Sequence, residues 1–166
     1  MTDAGAAAER LWVESQAAFK ARDYQRAAEL LQTLLRDHGE QSGPVGGAAI
    51  RLSLGVTLLR LKRTEEGVAE LRRAVALEPH VARAWHKLGA GLARLRRHDD
   101  ALPCFQRATT LEPDVAEYQA RLGEQLRRLG RREEALAALH RGLELDPDNA
   151  DALRSLNVIS MQPTAH

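Results

Sequence analysis

The sequence has 166 residues, 44% of them hydrophobic, which is enough apolar material for one compact domain or a short repeat array. Its formal net charge of +1 argues against a general nucleic-acid binder, because such proteins carry a large excess of positive charge. The single cysteine, Cys104, excludes both an intramolecular disulfide and a zinc site built from cysteines.

The N-terminal residues do not have the pattern of a signal peptide. Asp3 and Glu9 are acidic, and no basic segment precedes an apolar core. No apolar run approaches the roughly 20 residues that a membrane-spanning helix requires. We therefore expect a soluble, cytoplasmic protein that binds neither membranes nor nucleic acids.

Residues 8–41 predict a first pair of helices. The run ARDYQRAAELLQTLL at 21–35 carries apolar residues at helical spacing, which is typical of a helix with one buried face. The segment HGEQSGPVGG at 38–47 follows, and its glycine, serine and proline content predicts a surface loop. We assign residues 42–47 as an insertion between repeating units.

Residues 48–149 contain three copies of a 34-residue unit. The copies end in nearly identical segments, LEPHVA at 77–82, LEPDVA at 111–116 and LDPDNA at 145–150. Within each copy, apolar residues at helical spacing predict two helices, and the proline ends the second one. Small residues recur where the two helices would cross, at Gly55, Gly89 and Gly123 in the first helix. We therefore expect Gly89→Leu to overpack the crossing and to destabilise the fold by about 1–3 kcal/mol.

Residues 150–161 predict a single further helix that covers the exposed end of the core, and residues 162–166 predict a loose tail. Leu153 and Leu156 occupy inner places of this helix. One helix face cannot bury Val158, Ile159 and Met161 as well, which leaves two interpretations open. Either the helix frays near Ser160, or these three residues form an apolar patch for a homodimer.

The copy at residues 82–115 resembles the tetratricopeptide repeat family most closely. Its residues match the family pattern of W, LG, Y, A, F, A and P at Trp85, Leu88, Gly89, Leu92, Ala101, Phe105, Ala108 and Pro113. The resemblance implies an all-α, right-handed α-solenoid of about four helix-turn-helix repeats plus a C-terminal capping helix, nine helices in all. It implies one domain over 1–166, divided into repeat 1 (8–41), insertion (42–47), repeat 2 (48–81), repeat 3 (82–115), repeat 4 (116–149) and capping helix (150–161).

In the resembled family, the first helices of the repeats line a concave groove that binds peptides. The matching places give the candidate peptide-binding residues Trp12, Gln16, Leu52, Ser53, Val56, Arg60, Arg83, Lys87, Arg94 and Arg121. The cations from Arg60 onward favour an acidic peptide. Some members grip an acidic chaperone tail with a five-residue clamp, of which Arg83 and Lys87 match the last two positions. Alternatively, Trp12 and Phe19 fill core places, if repeat 1 is shifted by one residue.

Three runs of basic and then acidic residues recur in the copies. They read LKRTEE at 61–66, LRRHDD at 95–100 and LGRREE at 129–134. We interpret them as charges that end one helix and start the next, where each is favourable against the helix dipole by about 0.3–1 kcal/mol. The acidic pairs are adjacent rather than facing, and the six histidines lack metal-binding spacing, so neither pattern indicates catalysis or a metal site.

The resemblance therefore implies a protein–protein interaction module that is not an enzyme and needs no cofactor. We expect an adaptor or co-chaperone-like protein with an acidic protein or peptide partner. Two alternatives stay open, a self-assembling scaffold and a regulatory or targeting arm of a separately encoded enzyme.

Overall fold

A computed structural model describes residues 3–39 and 46–161, and over these ranges it contains nine α-helices and no strand. The helices are α1 (Asp3–Lys20), α2 (Tyr24–His38), α3 (Gly47–Arg60), α4 (Thr64–Leu77), α5 (Ala82–Arg94), α6 (His98–Leu111), α7 (Ala116–Arg128), α8 (Arg132–Leu145) and α9 (Ala150–Met161). The predicted all-α class and the number of helices are confirmed over the described ranges. The predicted tail at 162–166 and most of the insertion at 42–47 lie outside them.

The chain divides into two compact units, Met1–His80 and Val81–His166. In the first unit, α1 packs on α2, α2 on α3, and α3 on α4, and a buried core lies between α1, α2 and α3. The buried residues of this core are Ala8, Ala28, Leu31, Leu34, Ile50, Leu54 and Leu58. The apolar stripe that predicted the second helix of repeat 1 therefore faces the core, as the helical spacing requires.

In the second unit, the hairpin α5–α6 is followed by α7–α8, and α9 packs against both α7 and α8. The buried residues around α7, α8 and α9 are Leu102, Ala120, Leu126, Ala135, Ala138, Leu139, Ala152 and Ile159. The unit thus ends in a helix that covers the last hairpin, which is the arrangement that repeat arrays need at their ends.

Three expectations for α9 are wrong. Ile159 is only 2% exposed and belongs to the core, so it is not part of an apolar surface patch. Leu153, which we placed on the inner side, is 47% exposed. The helix also continues through Ser160 to Met161, so it does not fray there. Of the predicted patch, Val158 and Met161 remain exposed.

The helices of the hairpins α3–α4 and α7–α8 cross at small residues. A Cβ atom on Gly55 would lie 2.6 Å from Leu71 Cγ and 3.0 Å from the carbonyl oxygen of Gly67. A Cβ atom on Gly123 would lie 2.5 Å from Leu139 Cγ. Distances this short are below van der Waals contact, so the backbones approach closely only because glycine stands at the crossing.

Every hairpin turn contains one residue in the left-handed conformation. The residues and their φ angles are Arg22 (62°), Lys62 (62°), Arg96 (60°) and Gly130 (75°). The amide of the next residue closes the preceding helix, as when Arg97 N–H donates to the carbonyl of Leu92 at 3.0 Å. This is a Schellman-type ending, and it lets three residues reverse the chain. Only the fourth turn has the glycine that would have marked it in the sequence.

The charge runs form local ion pairs at the starts of the second helices. Arg63 pairs with Glu66, and Arg131 with Glu134, each through two hydrogen bonds of 2.7 Å. These pairs raise the pKa of each arginine and lower the pKa of each glutamate. Acidic residues also occupy the first turns of α4, α6 and α8, as predicted from the helix dipole.

Candidate peptide-binding surface

The first helices of the second unit, together with the capping helix, lie side by side. Helix α7 packs on α9, and the His86 ring of α5 packs against the Tyr118 ring of α7 at a centroid distance of 4.7 Å. We call α5, α7 and α9 the first-helix row. It holds four of the ten predicted groove residues, namely Arg83, Lys87, Arg94 and Arg121.

The predicted cations of the row differ in their surroundings. Arg83 and Arg94 are exposed. Lys87 is half-buried, with its Nζ 3.8 Å from Glu117 Oε1, and Arg121 lies 2.8 Å from Asp151 Oδ2. Lys87 and Arg121 therefore each lie beside a carboxylate of the next helix in the row. Asp151 was not predicted as a partner, although the pair Arg121–Asp151 repeats the pair Lys87–Glu117 one repeat later, which is the signal that could have found it.

His86 is buried directly beneath these charges. Its ring packs between Phe105 and Tyr118, and neither ring nitrogen has a hydrogen-bond partner among the described residues. Burial lowers the pKa of His86 to about 3, and the positive charges of Lys87 and Arg121 act in the same direction. The Glu117 carboxylate, 3.6 Å from Nε2, would favour the charged ring, but burial outweighs it. His86 is therefore neutral near neutral pH.

A pocket of about 260 Å³ opens between α7 and α9, and we call it the α7–α9 pocket. Its lining residues are Arg121, Glu124, Arg127, Arg128, Asp151, Arg154, Ser155 and Val158. At its base, Arg127 Nε donates to Glu124 at 2.8 Å, and Ser155 Oγ donates to the same carboxylate at 3.0 Å. The repeat pattern does not predict this pocket, since Glu124 and Ser155 at its base lie 31 residues apart in the sequence.

Glu124 is held in its charged form. Burial alone would raise its pKa, but the hydrogen bonds from Arg127 and Ser155, with the nearby charge of Arg128, hold the pKa below its usual value. The same pair raises the pKa of Arg127. The base of the pocket therefore keeps its charges at neutral pH.

The other six predicted groove residues lie in the first unit. Trp12 is half-buried and packs against the core formed by α1, α2 and α3, which favours the alternative that it fills a core place. Phe19 makes an edge contact with Tyr24 at a centroid distance of 5.3 Å. Gln16, Leu52, Ser53 and Val56 are half-buried, and Arg60 is exposed.

Other kinds of site find little support in the part of the chain that the structure describes. No group of three histidine, cysteine, aspartate or glutamate residues within 3–39 and 46–161 is placed to hold a metal ion. Cys104 is buried. None of the described helices has the length and apolar character that crossing a membrane requires.

Comparison with protein families identifies the repeat. The model of the family described as "Tetratricopeptide repeat" matches residues 13–82, 63–116 and 86–150, so that the matches together run from 13 to 150. The chain belongs to the tetratricopeptide repeat (TPR) family. The resemblance of the copy at 82–115 is thereby confirmed, and as a TPR protein the chain is a protein–protein interaction module. TPR repeats are generally non-catalytic.

Solved TPR structures have the same fold. The MamA protein of Desulfovibrio magneticus RS-1, from its residue 41 to the end, superimposes with a TM-score of 0.84 at 19% identity, covering 95% of this chain and 85% of that one. YrrB, described as a TPR protein with an unusual peptide-binding site, gives a TM-score of 0.78 at 23% identity, covering 90% of this chain and 74% of that one. Among curated proteins, no sequence matches this TPR chain significantly.

Proposed function

We propose that the protein is a non-catalytic, cytoplasmic adaptor of the co-chaperone-like kind, which binds an acidic segment of a partner protein on the first-helix row. One observation carries this proposal, the segregation of charge in the second unit. Helices α5 and α7 carry six basic residues and only two acidic ones, Glu117 and Glu124. The second helices, α6 and α8, carry three basic and five acidic residues.

This segregation favours an acidic ligand for a physical reason. A face with excess positive charge attracts an acidic segment over several ångströms and orients it before contact. Lys87 and Arg121 lie beside carboxylates, and Arg83 and Arg94 are exposed. Because the cations are partly exposed, salt should screen the attraction, and the affinity should fall as ionic strength rises.

The test is a double charge reversal on the row. Arg83→Glu with Lys87→Glu should weaken the binding of a synthetic acidic peptide by about tenfold or more, because two attractive contacts become repulsive. Isothermal titration calorimetry measures the change, with a peptide carrying lysines at the acidic positions as the reference ligand. Circular dichroism establishes that the variant remains folded.

The matched control changes the net charge equally but elsewhere. Arg72 and Arg107 are exposed on the second helices α4 and α6, and Arg72→Glu with Arg107→Glu should leave the affinity nearly unchanged. An equal loss in both double variants would mean that net charge, and not this surface, governs binding. A regulatory or targeting arm of an enzyme would use the same surface, so that alternative makes the same prediction.

A homodimer through α9 is the second candidate function. It is favoured by the exposure of Leu153, Val158 and Met161, the last of which is 74% exposed. Val158→Ser with Met161→Ser should then convert a dimer into a monomer, whereas Asn157→Ala on the same helix should not. Light scattering coupled to size exclusion measures the mass. A wild-type protein that is monomeric at high micromolar concentration would exclude this candidate.

A further inference from the structure

The α7–α9 pocket carries an excess of positive charge. Four arginines and two carboxylates line it, which leaves a net charge of +2. Each carboxylate is shared by two arginines. Glu124 lies 2.8 Å from Arg127 Nε and 2.7 Å from Arg128 Nε, and Asp151 accepts from Arg121 at 2.8 Å and from Arg154 at 3.0 Å. No lining residue supplies the remaining two negative charges.

The pocket has buried side chains at its base and exposed arginine side chains around its opening. The side chains of Arg127 and Glu124 are 18% and 21% exposed, and Ser155 is buried, so this base is held by packing as well as by hydrogen bonds. Arg121, Arg128 and Arg154 are much more exposed, and Arg154 reaches 72%. Exposed arginine side chains can turn toward a ligand at small cost, whereas the base cannot.

The donors outnumber the acceptors. Each guanidinium carries about five N–H donors, so the four arginines present roughly twenty, against roughly eight acceptor positions on the two carboxylates. At about 260 Å³ the pocket is smaller than the sites that hold drug-sized ligands, which start at about 300 Å³. It therefore suits one compact group that carries two negative charges and several acceptor oxygens.

We propose that the α7–α9 pocket receives a phosphorylated side chain of the ligand peptide, so that phosphorylation of the partner strengthens its binding. A phosphorylated serine or threonine carries about −1.5 to −2 charges at neutral pH and three acceptor oxygens, which match the net charge of the pocket and its three exposed arginines. A planar guanidinium group can donate two parallel hydrogen bonds to the oxygens of one phosphate. This inference rests on the proposed function, since it places the phosphate at one end of the surface that binds the acidic segment.

The test compares three peptides of the same acidic sequence, which contain serine, phosphoserine or glutamate at one position. Calorimetry should show the phosphoserine peptide binding about tenfold more tightly than the serine peptide, with the glutamate peptide in between. Arg128→Gln with Arg154→Gln should reduce the ratio of the two affinities to about one. Arg72→Gln with Arg107→Gln, on the second helices, should leave the ratio unchanged.

A further variant should strengthen phosphopeptide binding. Asp151 competes with a phosphate for Arg121 and Arg154, so Asp151→Asn should raise the affinity for the phosphopeptide about three- to tenfold. Asp148→Asn removes the same charge at an exposed position outside the pocket, and it should leave the affinity for the phosphopeptide unchanged. Equal effects of the two variants would contradict the assignment of the pocket.

A probe smaller than the peptide separates this inference from the proposed function. Inorganic phosphate should shift the arginine side-chain NMR signals of Arg121, Arg128 and Arg154 in a saturable way, even if no acidic peptide binds. If acidic peptides bind with no advantage from phosphorylation and phosphate gives no saturable shift, the pocket inference is wrong while the proposed function stands. If phosphate saturates the pocket and no peptide binds, the proposed function fails instead.

Discussion

Replacing Gly123 with alanine should lower the free energy of unfolding by about 2–3 kcal/mol. The new Cβ atom would lie 2.5 Å from Leu139 Cγ and 3.1 Å from the carbonyl oxygen of Ala135. Leu139 is fully buried in the core of the second unit, so it has no room to withdraw, and the carbonyl oxygen is fixed in the backbone of α8. Urea denaturation followed by circular dichroism measures the change.

The matched control is a second buried glycine of the same hairpin. At Gly142 an added Cβ atom would meet the nearest backbone atom, the carbonyl oxygen of Ala116, at 3.4 Å, which is ordinary contact. Alanine is also favoured over glycine within a helix by about 1 kcal/mol. Gly142→Ala should therefore be neutral or slightly stabilising. If Gly123→Ala left the stability unchanged, the close crossing of α7 and α8 would be wrong.

Acidification from about pH 7 to about pH 5 should cost the folded protein about 2 kcal/mol through His86 alone. The folded pKa is about 3, well below the ordinary 6.5, so over this range the unfolded chain binds a proton at this residue and the folded chain does not. The unfolded state binds more protons, and stability therefore falls as the pH falls from about 6.5 toward about 3. Denaturation at several pH values measures the slope.

The variant His86→Leu distinguishes the contribution of His86 to the pH dependence of stability from that of the carboxylates. Leucine cannot bind a proton, so the variant should lose the extra slope between about pH 7 and pH 5. Glu124, whose pKa is lowered in the folded protein, stays charged there, and its contribution over this range is small because the carboxyl of the unfolded chain binds a proton mainly below about pH 5. The same slope in variant and wild type would show that His86 is not the residue responsible.

Most of the fold is predictable from the sequence because the same helical pattern recurs in three copies. The repeat period and the recurring proline predict where each helix pair lies. The recurring small residues predict where the two helices of a pair cross. At Gly123, the structure shows the close contact that this pattern required. The hairpin turns were harder to predict, since three of their four left-handed residues are not glycine. An arginine or lysine at such a position does not indicate a left-handed conformation in the sequence.

The end of the array was predicted less well, for a physical reason. In repeat 2, Arg51 reaches across to Glu70 on its own second helix at 2.6 Å, so this repeat place faces a partner. Leu153 occupies the same place in α9, but no second helix follows within the described residues, and its side chain is left exposed. The lack of a second helix within the described residues therefore accounts for Leu153, whereas Ile159 takes the place of Thr57 and Gln125, which are buried in the complete repeats.

The candidate site was only partly predictable. The family pattern identified the basic residues of α5 and α7 from their places alone. It did not show that His86 would be covered by Phe105 and Tyr118, because that depends on packing between elements. The partner Asp151 was not identified either, although the pair Arg121–Asp151 repeats the pair Lys87–Glu117 one repeat further along the chain.

The most direct test of the central claim maps where an acidic peptide binds. Titration of the isotope-labelled protein, followed by its backbone amide NMR signals, reports which helices the peptide contacts. We predict saturable shifts concentrated in α5 and α7, on the residues around Arg83, Lys87 and Arg121, and much smaller shifts in α6 and α8. Shifts concentrated in the second helices, or none with a peptide that calorimetry shows to bind, would contradict the assignment of this surface.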